Sequence, residues 1–171
     1  RLLALLVRHG LKTLAFVKAR AVAELLVERT RALLPPEQAE RLQCYRAGYT
    51  KEARRAIEAE LFEGRLLGVV ATNALELGVD VGTLDAVLHL GYPGSAASLA
   101  QQQGRAGRGA RPALSLLVAH DGPLDQAVAL DASRLLAMPA EGCVLHPYNP
   151  VMLRAHLAAA AREHPLRLPP P

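Results

Sequence analysis

Five short runs, KTLAFV (12–17), LQCY (42–45), LLGVVA (66–71), DAVLHLG (85–91) and ALSLLVA (113–119), are rich in apolar residues and alternate with stretches of helical spacing. No other feature constrains the fold as tightly. A strand that is apolar on both faces must be covered on both faces. Strands separated by helices are joined by crossovers and run parallel. Half of the chain is hydrophobic and only 4% is aromatic, so aliphatic layers must do the packing. The expectation is an α/β fold: a five-stranded parallel sheet with helices on both faces over residues 1–120, followed by a helical extension over 121–171. Right-handed crossovers then bring the strand C-termini to one edge, where α/β ligands bind.

The helical segments carry their own signals. RLLALLVRHG is a short amphipathic helix stopped by Gly10, and RAVAELLVERTRALL (20–34) ends at Pro35-Pro36. Thr50 is placed to N-cap KEARRAIEAELFE, which Gly64 closes. TNALELGVDVGT (72–83) reads as one helical turn and a loop, and a helix is predicted over roughly 96–106. After Asp121, PLDQAVALDASRLLAMP reads as one helix leading away from the sheet. Asn149 and Pro150 then open a last helix that ends before Pro165.

The 171 residues suit one domain with a real core, and the formal charge of +4 is mildly basic. A phosphate-bearing partner is allowed by that charge but not demanded by it. Cys44 and Cys143 stand far apart without a second pair, which reads as two buried, reduced thiols rather than a disulfide framework or a zinc site. The six histidines show no metal-ligand spacing, and no apolar run reaches membrane-span length. The chain opens on Arg1 and closes on PLRLPPP, which reads as a piece of a longer polypeptide with a linker at its end.

Two stretches could carry chemistry. QQQGRAGRG (101–109) sets Arg105 and Arg108 three apart, each behind a glycine. On a continuous helix, Gln101, Arg105 and Arg108 share a face. Two guanidiniums aimed at one point suit an anion with several oxygens, such as a triphosphate; the bland reading is a solvated basic helix end. In ATNALELGVD (71–80), Thr72 follows a predicted strand at the ligand-binding edge, Gly78 permits a tight turn and Asp80 would face the same cleft. Thr72 and the following N–H groups could hold a backbone phosphate, or Thr72 or Asn73 could simply cap a turn. The charge run KEARRAIEAE (51–60) is a solvated face with i,i+4 pairs, or a surface where Lys51, Arg54 and Arg55 brush a phosphate backbone.

Taken together, the order strand, Thr72, Gly78-x-Asp80, strand, Gln101-x-x-Gly104-Arg105-x-Gly107-Arg108 resembles motifs V and VI of superfamily-2 helicases. LAFVKAR (14–20) resembles motif IV. Residues 45–109, GPLDQ (122–126) and NPVMLRAHLAAAAREHPL (149–166) resemble the MrfA/YprA-type repair helicases. The resemblance implies a RecA-like C-terminal lobe. It makes Arg105 and Arg108 arginine fingers that reach ATP and its Mg ion, bound mainly on a first RecA-like lobe. It puts Gln101, Gly78 and Asp80 beside the nucleotide, and Thr72, Arg20 and Arg46 along the nucleic-acid path. It implies DNA, single-stranded, as partner, 3′→5′ translocation, a role in genome repair, and a cytoplasmic or nuclear setting according to the kind of cell. Full-length members of the family carry a zinc-binding cysteine cluster further on, which the present sequence does not contain. Ala100 and Ala19 depart from the family pattern, standing where a tryptophan and a small hydroxyl residue are usual.

The chain holds no G-x-x-x-x-G-K-[ST] phosphate loop. HGLKT (9–13) has the wrong order and precedes a strand, whereas a phosphate loop follows one. DAVLH (85–89) lacks the glutamate of an Asp-Glu box and is predicted to lie within a strand. The alternative to a motor lobe is a non-catalytic RecA-like module that binds nucleic acid or a protein.

Overall fold

The computed structural model describes residues 1–108, 111–142, 144–165 and 167. Helices α1 (Leu2–Arg8), α2 (Arg20–Arg31), α3 (Pro36–Ala39), α4 (Lys51–Phe62) and α5 (Ala96–Gln103) alternate with strands β1 (Thr13–Phe16), β2 (Leu42–Tyr45), β3 (Gly68–Ala71), β4 (Ala86–Leu90) and β5 (Leu114–Val118). Helices α6 (Pro123–Leu130), α7 (Ala132–Ala137) and α8 (Pro150–Glu163) follow. The five strands are parallel, in the order β2-β3-β1-β4-β5. Central β1 pairs Ala15 with Val70 on one side and with Leu88 on the other.

Strand alternation divides the core into two layers. Ala15, Val17, Cys44, Val70 and Leu88 face Leu3, Ala4 and Val7 of α1 and Ala23 and Val27 of α2. Leu14, Phe16, Val69 and Val87 pack with Leu61 of α4 and with Leu75, Val81 and Leu84 of the connection between β3 and β4. The expected α/β sheet with helices on both faces is therefore the one observed. Thr50 caps α4 by accepting from the Ala53 N–H at 3.2 Å, and Asn149 caps α8 by accepting from Val151 and Met152. Cys44 is a buried free thiol, whereas Cys143 lies outside the described residues.

Three local expectations need correction. Pro36 opens the short α3 rather than only ending α2, because proline is well placed at a first helical position. The segment after Asp121 is two helices, broken at Asp131, whose side chain leaves α6 to cap α7 by accepting from Arg134 N–H. Helix α5 stops at Gln103, so residues 104–106 are not helical.

Two compact units are present, Arg1–Glu141 and Gly142–Pro171. The first extends past residue 120, and two later carboxylates bond back to its earlier part. Glu141 accepts from the N–H groups of Ala96 and Ala97 at the start of α5, and these bonds hold its carboxyl below the usual range. Asp125 is buried and accepts from Tyr92 N–H at 3.2 Å and His120 N–H at 2.9 Å. Its other oxygen lies 4.0 Å from the Lys18 ammonium. Gly91 makes that approach possible. Its φ is +87°, and a Cβ there would stand 2.6 Å from His120 and 3.1 Å from the Asp125 carboxylate.

Burial alone would raise the Asp125 carboxyl, but the two N–H bonds and Lys18 outweigh it and hold the group below its ordinary value. A depressed carboxyl contributes stability that is fully present above its unfolded value and lost as pH falls through the folded one. Asp125→Ala is thus expected to cost about 2 kcal/mol at neutral pH, the cost of orphaning the buried Tyr92 N–H and the part-buried His120 N–H. Part of that difference should fade below about pH 4. Thermal melts of both forms across pH 3–7 check this; a difference that grows toward acid pH contradicts it.

Candidate functional site

The connection from β3 to β4 runs from the C-terminal end of one strand to the N-terminal end of the next, and its first half carries ATNALELGVD. Thr72 has extended backbone at the head of a single turn, Asn73–Leu75, and makes no capping hydrogen bond. Its half-buried hydroxyl is therefore not spent on the turn. Gly78 has φ +76° with open space where a Cβ would point, so the position requires the backbone conformation rather than the room. Asp80 accepts from Gly82 N–H at 3.1 Å and from Arg108 Nη1 at 3.2 Å.

The two arginines behave differently. Gly104 ends α5, so Gln101, Arg105 and Arg108 do not share a helix face. Arg105 turns inward and is only 5% exposed. Its Nε and Nη2 donate to the Glu76 carbonyl and its Nη1 donates to the Val79 carbonyl. Burial, with Arg108 nearby, draws its guanidinium below the ordinary value, while Asp80 and Glu76 oppose the shift. Arg108 turns outward; its side chain is 46% exposed and its contact with Asp80 is a surface ion pair. The arm between them is fixed by its backbone. Ala106 bridges to Leu84, and Gly107 N–H donates to the Leu84 carbonyl at 3.1 Å.

Gln101 is exposed, and its neighbour Gln102 is buried. Gln102 Nε2 donates to the Glu76 carboxylate at 3.0 Å, and Ser98 Oγ donates to the same carboxylate at 2.6 Å. Gln102 Oε1 lies 2.9 Å from His89 Nδ1, and His89 Nε2 lies 3.2 Å from Ser115 Oγ. His89 lies within β4 and stacks on Phe16 at 6.0 Å; burial lowers its pKa, against the pull of Gln102. The spacing of motif residues drew attention to Gln101. Only the inward pattern of α5, with Ala96, Leu99 and Gln102 buried, points to Gln102.

Arg46, Thr72 and Arg20 follow β2, β3 and β1, which are adjacent in the sheet, so all three stand along its C-terminal edge. Arg20 opens α2 and is exposed. Arg46 Nε lies 2.9 Å from Glu24 of α2, and its guanidinium sits 4.9 Å from the Tyr49 ring centroid. A pocket of about 260 Å³ opens at the same edge, lined by Phe16, Lys18, Asn73, Leu90, Gly91 and Pro93, among others. It lies where the chain order reverses about β1 and β4, the crevice at which open α/β sheets bind ligands. Among the described residues, no group of three or more His, Cys, Asp and Glu side chains is placed to hold a metal ion. No described helix is long and apolar enough to cross a membrane.

Residues 1–110 match the family described as the helicase conserved C-terminal domain. The chain is 40% identical over 161 residues to the ATP-dependent helicase hrq1 of Schizosaccharomyces pombe, covering 92% of this chain and 15% of that protein. It is similar to the DUF1998 helicase MrfA in a crystal structure bound to DNA and AMPPNP, with TM-score 0.88 and 38% identity over 96% of this chain and 23% of that one. It is also similar to the Mycobacterium smegmatis helicase Lhr bound to ssDNA and AMP-PNP, with TM-score 0.74 and 30% identity over 94% of this chain and 21% of that one. The chain thus spans between 15% and 23% of these proteins. With motif order, sheet and family match in agreement, the chain belongs to the helicase conserved C-terminal domain family and is a superfamily-2, RecA-like C-terminal lobe of the MrfA/YprA type.

Proposed function

We propose that this chain is the second motor lobe of an ATP-dependent 3′→5′ DNA helicase. The observation that carries the reading is the arm 104–108, where a buried Arg105 fixes the loop bearing Asp80 and leaves Arg108 half-exposed beside it. Such an arm is half of an ATPase site. The other half, a phosphate loop, has no counterpart in the 171 residues, so ATP and its Mg ion belong mainly to a first RecA-like lobe that closes on this one. ATP supplies the phosphoryl group whose transfer to water drives the motor. Arg108 reaches its phosphate oxygens, Arg105 holds Arg108 at that height, and Gly78, Asp80 and Gln101 line the nucleotide side of the cleft. An exposed ion pair contributes only about 0–1 kcal/mol, so Arg108 exchanges Asp80 for phosphate at little cost.

Strand contact belongs to the C-terminal edge. Thr72 offers an uncommitted hydroxyl, and Arg20 and Arg46 offer charge along β1 and β2. Relatives solved with DNA and ssDNA support DNA, single-stranded, as the partner. The expected binding is weak and independent of sequence. Two phosphates neutralised by Arg20 and Arg46 give a slope of log affinity against log salt of roughly −1.4, to which the uncharged Thr72 adds nothing. Arg20→Ala should flatten that slope by about 0.7. Titrating fluorescent oligothymidylate and a mixed-sequence strand at several salt concentrations tests this; an affinity indifferent to salt contradicts it.

A further inference from the structure

The polar chain under the pocket has one fixed direction. Glu76, as a carboxylate, only accepts, so the group of Gln102 facing it at 3.0 Å is the amide NH2. Gln102 Oε1 must then face His89, which makes His89 Nδ1 the donor and leaves Nε2 to accept from Ser115 Oγ. Ser98 Oγ also donates to Glu76. The donors of α5, and through Gln102 those of β4 and β5, therefore end on one carboxylate in the loop between Thr72 and Asp80. The backbone carbonyl of that same residue is one of the two gripped by Arg105. Glu76 is thus held by α5 through its side chain and by the arginine arm through its main chain. The buried Gln102 is the link that cannot relax into water.

We propose that Glu76 and Gln102 are a positioning pair that makes the strand-contacting loop and the arginine arm move as one body, so that a strand bound at Thr72 sets the height of Arg108. Both side chains also line the pocket at the C-terminal edge; the role assigned to them is to position the loop and the arm, not to contact the reacting atoms. The inference rests on the function proposed above. It adds that stimulation of ATP turnover by nucleic acid passes through this pair.

The chemistry supplies an exchange test. Gln102→Glu sets two carboxylates against each other. Adding Glu76→Gln restores the bonds to His89 and Ser98 and the one between positions 76 and 102, the last with its donor reversed, and gives up only the long 3.5 Å contact from Gln102 Nε2 to Ser98 Oγ. The amide now at position 76 donates to the carboxylate now at position 102, that carboxylate still accepts from His89, and Ser98 still donates to the amide oxygen. ATP turnover of the full polypeptide carrying this lobe is measured at pH 8, with and without oligothymidylate, for the parent, the single variant and the double. In Gln102→Glu, stimulation by the strand is expected to fall about tenfold, with kcat reduced and KM for ATP little changed. The double variant is expected to regain stimulation to within about twofold of the parent. Undiminished stimulation in the single variant overturns the inference. Equal loss in single and double variants also overturns it, whether or not the single variant folds. A parent that turns over ATP without any stimulation by a strand overturns the proposed function as well. A stimulated parent with an indifferent Gln102→Glu overturns the coupling alone.

Discussion

Replacing Arg108 by alanine, in a polypeptide that joins this lobe to one carrying a phosphate loop, is expected to lower ATP turnover by about 10³–10⁵. ATP affinity and strand affinity should change little. The asymmetry follows from when charge appears. A guanidinium opposite the transferring phosphate matters most as charge shifts onto the leaving and equatorial oxygens, so its removal falls on the transition state. Arg108 is half-exposed and, among the described residues, is bound by a surface pair with Asp80 alone, so its loss is expected to leave the fold of the lobe intact. Lysine at this position keeps the charge and loses the planar fork, and should rescue poorly. Steady-state turnover, nucleotide affinity and strand affinity of the three forms check this. Near-parent turnover in Arg108→Ala would make the residue a solvated surface charge.

Arg105→Ala is expected to abolish turnover as thoroughly, by a different route. The side chain is buried and spans the carbonyls of Glu76 and Val79, 29 and 26 residues away in sequence. Its removal orphans both acceptors and frees the loop that carries Asp80. Hydrogen bonds from a buried cation make this a loss of about 3 kcal/mol in stability, visible as a lowered melting temperature. Lysine can reach one carbonyl but not both, so Arg105→Lys should recover only part of it. The combination of unstable loop and lost turnover separates Arg105 from Arg108, whose alanine variant should melt like the parent. An Arg105→Ala variant with unchanged stability contradicts the clamp.

The sheet was legible because strands apolar on both faces have few other places to go. LQCY is buried as its composition predicts, whereas LSLLV joins the sheet as an edge strand left largely exposed, and Thr50 and Asn149 cap the helices that follow. The arm was legible as chemistry but not as geometry. Gly104 follows Gln103 as a helix stop, and reading the helix through it placed Gln101, Arg105 and Arg108 on one face. Within α5 itself Gln102 follows Ala96 and Leu99 onto the buried face and Gln101 turns away from it, since one residue is about 100° of rotation. The inward turn of Arg105 was hidden for a different reason. A buried guanidinium needs carbonyl partners, and these come from the β3–β4 connection, which local pattern does not bring near. The same holds for Asp125 and Glu141, whose partners Tyr92, Ala96 and Ala97 lie far back in the chain.

The central claim is that the chain supplies one half of an ATPase site to a lobe that holds the other. It is tested most directly by ATP turnover of the first lobe with this chain joined to it, set against each part alone. The expected result is negligible turnover from either part, turnover by the joined polypeptide in the presence of single-stranded DNA, and its loss on Arg108→Ala in this chain. Turnover by the 171-residue chain alone, or by the joined polypeptide with Arg108 and Arg105 both replaced by alanine, would contradict it.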